Sequence, residues 1–114
     1  MGPTRIRIQI TEIAARAIVN QADYYASQQD ETLASRWDKA VSRAIDSLLK
    51  MPERGSLCYF QPGKLKMLRR ISVPGFPQHL VFYQYMLEER AVRIVHVLHG
   101  ARDIEAILSR QPGP

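Results

Sequence analysis

The chain has 114 residues, of which 46% are hydrophobic and 24% charged. This balance excludes intrinsic disorder and predicts a single domain over residues 1–110 with one modest core. The net charge of +5 and the isoelectric point near 9.7 favour an acidic partner, either a nucleic acid or an acidic protein segment.

The N-terminal half predicts a strand followed by two helices. In residues 5–10 isoleucine alternates with charged or polar residues, which is typical of a strand with one buried face. Thr11 and Asp30 are suited to cap two successive helices, and Pro52 ends the second. The apolar residues of the second helix recur at intervals of three and four: Leu33, Trp37, Ala40, Val41, Ala44, Ile45, Leu48 and Leu49. The short break at 28–31 predicts an antiparallel helical hairpin.

The C-terminal half predicts three strands in an antiparallel meander and a short last helix. Proline and glycine residues make residues 51–65 an irregular loop, and residues 74–77 a turn. Residues 80–83 and 94–98 are apolar on both faces, as expected for strands covered from both sides. The three strands, the helix and a flexible tail are predicted at residues 66–73, 79–87, 91–98, 101–109 and 111–114.

Cysteine content and hydropathy indicate the compartment. Cys58 is the only cysteine, so the chain forms no internal disulfide and lacks the spacing of a Cys/His zinc site. The sequence has neither a signal-peptide core nor an apolar run of the ~20 residues that a membrane span needs. We therefore predict a cytoplasmic protein without membrane association, metal or cofactor.

The order of the predicted elements defines the fold class. A strand, two helices, three strands and a helix (β-α-α-β-β-β-α) predict a two-layer α+β fold. Its four-stranded antiparallel sheet would pack on the helical hairpin, and the last helix would close the domain.

Several segments in this order resemble one known family. They are the helical run 22–52, the turn Pro52-Glu53-Arg54-Gly55, Arg69-Arg70-Ile71, Val73-Pro74-Gly75-Phe76, Val81-Phe82-Tyr83 and the ending 97–104. Together they resemble the RelE/ParE superfamily of bacterial toxins, and within it the ParE branch. The resemblance covers nearly the whole chain and implies a RelE/ParE-like fold.

The resemblance implies the toxin of a type II toxin-antitoxin pair, of the kind also called plasmid stabilisation proteins. In such pairs a labile antitoxin neutralises the toxin, and the complex binds operator DNA and represses its own operon. RelE-like members cleave messenger RNA on the ribosome, whereas ParE members poison DNA gyrase and block replication. A common fold cannot choose between these activities. A third hypothesis is a degenerate toxin that only binds its antitoxin, which would add a strand to the sheet or lay a helix across it.

Four residues are the candidates if the protein is a metal-independent endoribonuclease. Such cleavage needs a general base, a general acid and cations near the scissile phosphate. Arg69 or Arg70 would supply the cation, and Tyr83 and His99 the proton transfers. The same four residues, together with Arg102, are the predicted target contacts for a gyrase inhibitor.

Other features favour the gyrase inhibitor and limit the site. The chain has only four lysines, and it continues through Arg102 into another helix, as ParE-like proteins do. Arg69 and Arg70 point to opposite faces of their strand, so at most one shares a pocket with Tyr83 or His99. Trp37 and His96 are predicted core residues, and His99 is equally well explained as a histidine bonded to backbone at a strand end. The arginines are scattered along the sequence, which does not favour a nucleic-acid-binding protein unrelated to toxins.

Overall fold

The computed structural model describes residues 5–58, 67–100 and 104–110. Within them the chain forms five strands and three helices: β1 (Arg7–Ile10), α1 (Glu12–Ser27), α2 (Glu31–Lys50), β2 (Ser56–Leu57), β3 (Leu68–Val73), β4 (Phe76–Met86), β5 (Ala91–His99) and α3 (Ile104–Ser109).

The helical hairpin forms as predicted. The side chains of Thr11 and Asp30 accept hydrogen bonds from the backbone N–H groups of Ala14 (3.1 Å) and Leu33 (2.8 Å), so both predicted caps are confirmed. The predicted stripe of α2 buries Trp37, Val41, Ala44, Ile45 and Leu48. Trp37 is fully buried, and its indole N–H donates to the Ile18 carbonyl at 3.0 Å. This bond ties α2 to α1.

The sheet has the order β1-β5-β4-β3-β2. The antiparallel meander of β3, β4 and β5 is confirmed. The prediction of a four-stranded, wholly antiparallel sheet was wrong in two respects, because β1 pairs in parallel with β5 and because β2 adds a fifth strand. Two strands joined by a short turn must pair antiparallel. β1 and β5 are separated in the chain by the helical hairpin and three other strands, so they can pair in parallel. Since β2 has two residues, it carries no periodic pattern that a sequence could show.

Several predicted boundaries shift. The turn before β4 shortens because Gly75 adopts a φ of 82°, so that β4 begins at Phe76 rather than at His79. The predicted start of β3 at Lys66, the first residues of the last helix (101–103) and the tail 111–114 lie outside the described residues.

Both faces of the sheet are covered, as the apolar runs in β4 and β5 predicted. On the hairpin face, the main cluster joins Trp37 and its neighbours on α2 to Ile71, Val81, Tyr83 and Ile94. On the outer face, α3 places Leu108 against Leu68, Phe82 and Leu98. The two-layer α+β fold is therefore confirmed, with α3 adding cover on the far side of the sheet.

A bulge in β5 changes the position of His96. Tyr83 pairs with Ile94 but Phe82 pairs with His96, so Val95 is an extra residue, and Thr11 donates its hydroxyl to the Val95 carbonyl at 3.1 Å. His96 consequently falls out of the alternation that Val92 and Ile94 follow. Its side chain is partly exposed, and its Nδ1 accepts from the Val97 N–H at 2.9 Å. The prediction that His96 belongs to the core was wrong, because it assumed an unbroken period of two.

Candidate functional sites

Arg69 and Tyr83 hold the turn that follows α2. They pair directly across β3 and β4 on the hairpin face. Arg69 donates to the carbonyl oxygens of Glu53 (3.0 Å) and Gly55 (2.7 Å), and its guanidinium lies 3.6 Å from the Glu53 carboxylate. The Gly55 N–H donates to the Tyr83 hydroxyl at 2.8 Å. The two side chains therefore supply partners for the backbone of the irregular residues 52–55, which no helix or strand satisfies.

The environment of Tyr83 keeps its phenol neutral. The side chain is fully buried, and burial raises the pKa of Tyr83, against the smaller lowering effects of the Gly55 hydrogen bond and of Arg69. The contact is also close, because a Cβ added at Gly55 would lie 2.5 Å from the Tyr83 hydroxyl oxygen. A buried, neutral phenol that accepts a backbone hydrogen bond is suited to support the turn rather than to act as a general base.

Arg70 lies on the outer face, opposite Phe82 on one side and Ser56 on the other. Its side chain is exposed and lines a cleft of about 510 Å³ at the edge of the sheet, with Arg54, Ser56 and Ser72 among the other lining residues. The alternation of the strand thus separates Arg70 from Tyr83, as predicted. Of the two arginines, Arg69 is the one that shares a face with Tyr83.

His99 lies at the far end of β5, in a cluster of rings. It pairs with His79 across the sheet, with ring centroids 5.2 Å apart, and its Nε2 lies 3.1 Å from the Gln78 side-chain oxygen. The His79 ring packs in turn on Trp37, at 4.7 Å. Burial lowers the pKa of His79, and the neighbouring His99 lowers it further. The two histidines border a cleft of about 470 Å³ beside α1.

Comparison with known proteins identifies the family. A family model described as the ParE toxin of the type II toxin-antitoxin system parDE matches residues 8–104. The chain belongs to the ParE toxin family. No protein with a curated description matches it significantly.

Two solved structures share the ParE fold of this chain. A chain of the chromosomal ParDE TA system from P. aeruginosa superposes with a TM-score of 0.65 at 12% identity, covering 83% of this chain and 96% of the other. The E. coli toxin RelE, as a double arginine-to-alanine mutant in the free state, gives a TM-score of 0.56 at 14% identity, covering 95% of this chain and all of the other. The family match confirms the predicted membership of the ParE branch of the RelE/ParE superfamily, and the two likenesses confirm the predicted fold.

The predicted site residues of this ParE-family chain occupy three places. Arg69 and Tyr83 lie at the turn, Arg70 on the outer face, and His99 at the end of β5, while Arg102 lies outside the described residues. Sequence reasoning missed Arg54 and His79. His79 could have been found by aligning β4 and β5, because it pairs directly with His99. The bulge in β5 and the early start of β4 shift that alignment, so the sequence did not reveal the pair. For Arg54 no periodic signal exists, because it belongs to a turn.

Among the described residues, no group of three or more histidine, cysteine, aspartate or glutamate side chains is arranged to hold a metal ion. None of the helices there combines the length and the apolar character that crossing a membrane requires.

Proposed function

We propose that this ParE-family protein is the toxin of a type II pair, that it inhibits DNA gyrase by binding, and that a cognate antitoxin neutralises it. The family description supports a toxin of a toxin-antitoxin system. The observation that carries binding rather than RNA cleavage is the separation of the four candidate nuclease residues. Gyrase and the antitoxin are cytoplasmic partners, and contact with operator DNA would come through the antitoxin complex.

Cleavage of RNA would require these groups to meet at one phosphate. Reacting atoms and catalytic groups work within about 3–3.5 Å of each other. His79, the partner of His99, is four residues from Tyr83 along β4, which corresponds to about 13 Å. Arg70 lies on the other face of the sheet, and Arg69 is held by two backbone carbonyls. This arrangement favours a toxin that acts through surface contacts.

An exposed apolar patch supports antitoxin binding. Met67 and Leu87 are 65% and 68% exposed, and with Tyr85 they line a shallow cleft of about 140 Å³. Glu53 and Arg69 form its polar rim. Adjacent exposed apolar side chains are typical of protein contact surfaces. We propose that an apolar side chain of the antitoxin fills this cleft, with acidic residues of the antitoxin near Arg69.

The decisive experiment combines growth inhibition with a purified gyrase assay. Induction without antitoxin should stop DNA synthesis before RNA and protein synthesis. The purified toxin should inhibit supercoiling by gyrase, and equimolar antitoxin should restore it. Arrest of protein synthesis first, with cleaved messenger RNA, would instead identify a ribosome-dependent nuclease. Normal growth together with a stable antitoxin complex would identify a degenerate toxin.

Variants separate target contact from folding. Arg70→Ala, His99→Ala and Arg102→Ala should reduce gyrase inhibition, and the melting temperature of each variant serves as the control for folding. Unchanged inhibition in all three would exclude these residues as the target surface.

For the antitoxin, Leu87→Asp should weaken the complex at least tenfold, because a carboxylate in an apolar contact is desolvated without a partner. Val19→Asp on α1 is the matched control, since Val19 is 55% exposed and is not one of the residues that line this cleft.

A further inference from the structure

The cleft beside Arg70 combines two guanidinium groups with two hydroxyl groups. Its volume is about 510 Å³, and its lining is Arg54, Ser56, Arg70, Ile71, Ser72 and Leu80. Ser56 lies directly opposite Arg70 in the strand register, and Ser72 follows on the same face of β3. Residues from the turn, from β2 and from β3, which are up to 18 positions apart in sequence, thus meet at one edge of the sheet.

The donors in this cleft are available to a ligand. Within the described part of the chain, Arg70 forms no ion pair, and the two ion pairs found there are Arg16 with Glu12 and Arg69 with Glu53. Arg54 donates to the Ser47 hydroxyl, which uses one of its five N–H groups. All six lining residues are basic, hydroxylic or aliphatic, so the cleft has the donors and the charge to accept an oxyanion.

The distribution of charge over the molecule favours a polyanion. Residues 12–50, which include both helices of the hairpin, carry five basic and six acidic side chains, whereas the rest of the chain carries eleven and five. The positive net charge of the protein therefore comes from the residues outside the hairpin. On the outer face, Arg7 and Arg93 add two more exposed or half-exposed guanidinium groups. Such a surface attracts phosphate backbones over distances comparable to the Debye length.

We infer that this cleft binds a phosphate group of the duplex DNA backbone. Arg54 and Arg70 contact the non-bridging oxygens, Ser56 and Ser72 donate hydroxyl hydrogen bonds, and Leu80 packs on the sugar. Contacts of this kind position a protein on DNA without reading its sequence. Single-stranded nucleic acid is instead bound through aromatic platforms, whereas the groups lining this cleft are suited to phosphate and sugar. The inference adds a direct DNA contact by the toxin, and it holds whether or not gyrase is the target.

The test is the anisotropy of a fluorescein-labelled 20-bp duplex, titrated with the full-length toxin at several salt concentrations from about 50 mM upwards. The double variant Arg54→Gln with Arg70→Gln should weaken binding about tenfold and reduce the slope of log K against log[salt] by about 1, because roughly one phosphate contact is lost. The matched control is Arg36→Gln with Arg43→Gln, which removes the same charge from a basic patch on α2. Its affinity should change less than twofold.

A second cleft variant tests the same site in case the double arginine variant does not fold. Ser72→Asp places a carboxylate in the cleft and should also weaken binding about tenfold, while Ser42→Asp on the exposed side of α2 should not. If the cleft variants and the control variants lost the same affinity for the duplex, the loss would come from the lower net charge alone, and the proposal would be overturned. Tighter binding of single-stranded DNA or RNA of equal length would overturn the assignment to duplex DNA. No binding at the lowest salt concentration would reject the site, and competition by inorganic phosphate at millimolar concentration would support it.

Discussion

Arg69 and Arg70 are neighbours in β3, but their guanidinium groups lie on opposite faces of the sheet and in different surroundings. The Arg69 side chain is 16% exposed, donates to two backbone carbonyls and pairs with Glu53. Arg70 is exposed at the edge cleft with Arg54 and two serines. Two identical, adjacent residues thus differ in what they do. Arg69 donates to the carbonyls of exposed Glu53 and buried Gly55 and so holds the turn, whereas Arg70 keeps its donors for a ligand or target.

The largest loss of stability should come from a substitution at Gly55, which Arg69 and Tyr83 both contact. An added Cβ would lie 2.5 Å from the Tyr83 hydroxyl oxygen, 2.8 Å from its ring and 2.9 Å from the Arg70 carbonyl oxygen. We expect Gly55→Ala to lower the free energy of unfolding by about 3 kcal/mol, because the turn and Tyr83 must separate. Urea denaturation measures this change. Gly100→Ala is the control, since its Cβ would meet its nearest neighbour at 3.4 Å, and its effect should stay within about 0.5 kcal/mol. If both variants lowered the free energy of unfolding by similar amounts, the turn at Gly55 would be able to move away from Tyr83 at little cost.

Substitution of Arg69 should reduce the stability of the fold, whereas substitution of Arg70 should not. Arg69→Gln should lower the free energy of unfolding by about 2 kcal/mol, because two hydrogen bonds from a charged donor to carbonyls are lost. The exposed part of the Glu53 pair adds little. Arg70→Gln should change stability by less than about 0.5 kcal/mol. If Arg70→Gln were the more destabilising variant in urea denaturation, the roles assigned to the two faces would be reversed.

Tyr83→Phe should have a smaller effect than Arg69→Gln. It removes the acceptor of the buried Gly55 N–H while leaving the ring in place, which costs about 1–2 kcal/mol. A double-mutant cycle with Arg69→Gln should show coupling, because both side chains bind the same residue. Tyr85→Phe is a control with the hydroxyl removed from a partly exposed tyrosine. Additive losses in the cycle would show that the two side chains support the turn independently.

The smallest expected effect is the pH dependence from His79. Its pKa is lowered in the folded state, so below the ordinary histidine value of about 6.5 the unfolded chain binds a proton that the folded chain does not. The free energy of unfolding should therefore fall as the pH decreases from about 6.5 towards the folded pKa. His79→Phe, which keeps a ring against Trp37, should flatten this part of the profile. Identical profiles from pH 8 to pH 5 would assign the dependence to other groups.

Local patterns were sufficient for most of the architecture. The apolar stripe of α2, the caps at Thr11 and Asp30, the burial of Trp37 and the meander all follow from periods of 3.6 or 2 and from turn residues, which are properties of consecutive residues. The same alternation separated Arg69 from Arg70. Where a pattern was interrupted, prediction failed, as for His96 beyond the bulge at Val95.

Contacts between distant segments decided the rest. The parallel pairing of β1 with β5 and the two-residue β2 depend on backbone hydrogen bonds between segments that no local pattern relates. The engagement of Arg69 and Tyr83 with Gly55, 14 and 28 residues away, follows from the way the turn folds back on the sheet. The meeting of Arg54 with Arg70 has the same origin. A sequence specifies which residues have the chemistry for a site, but the chain must close its long-range loops before any of those residues share a surface.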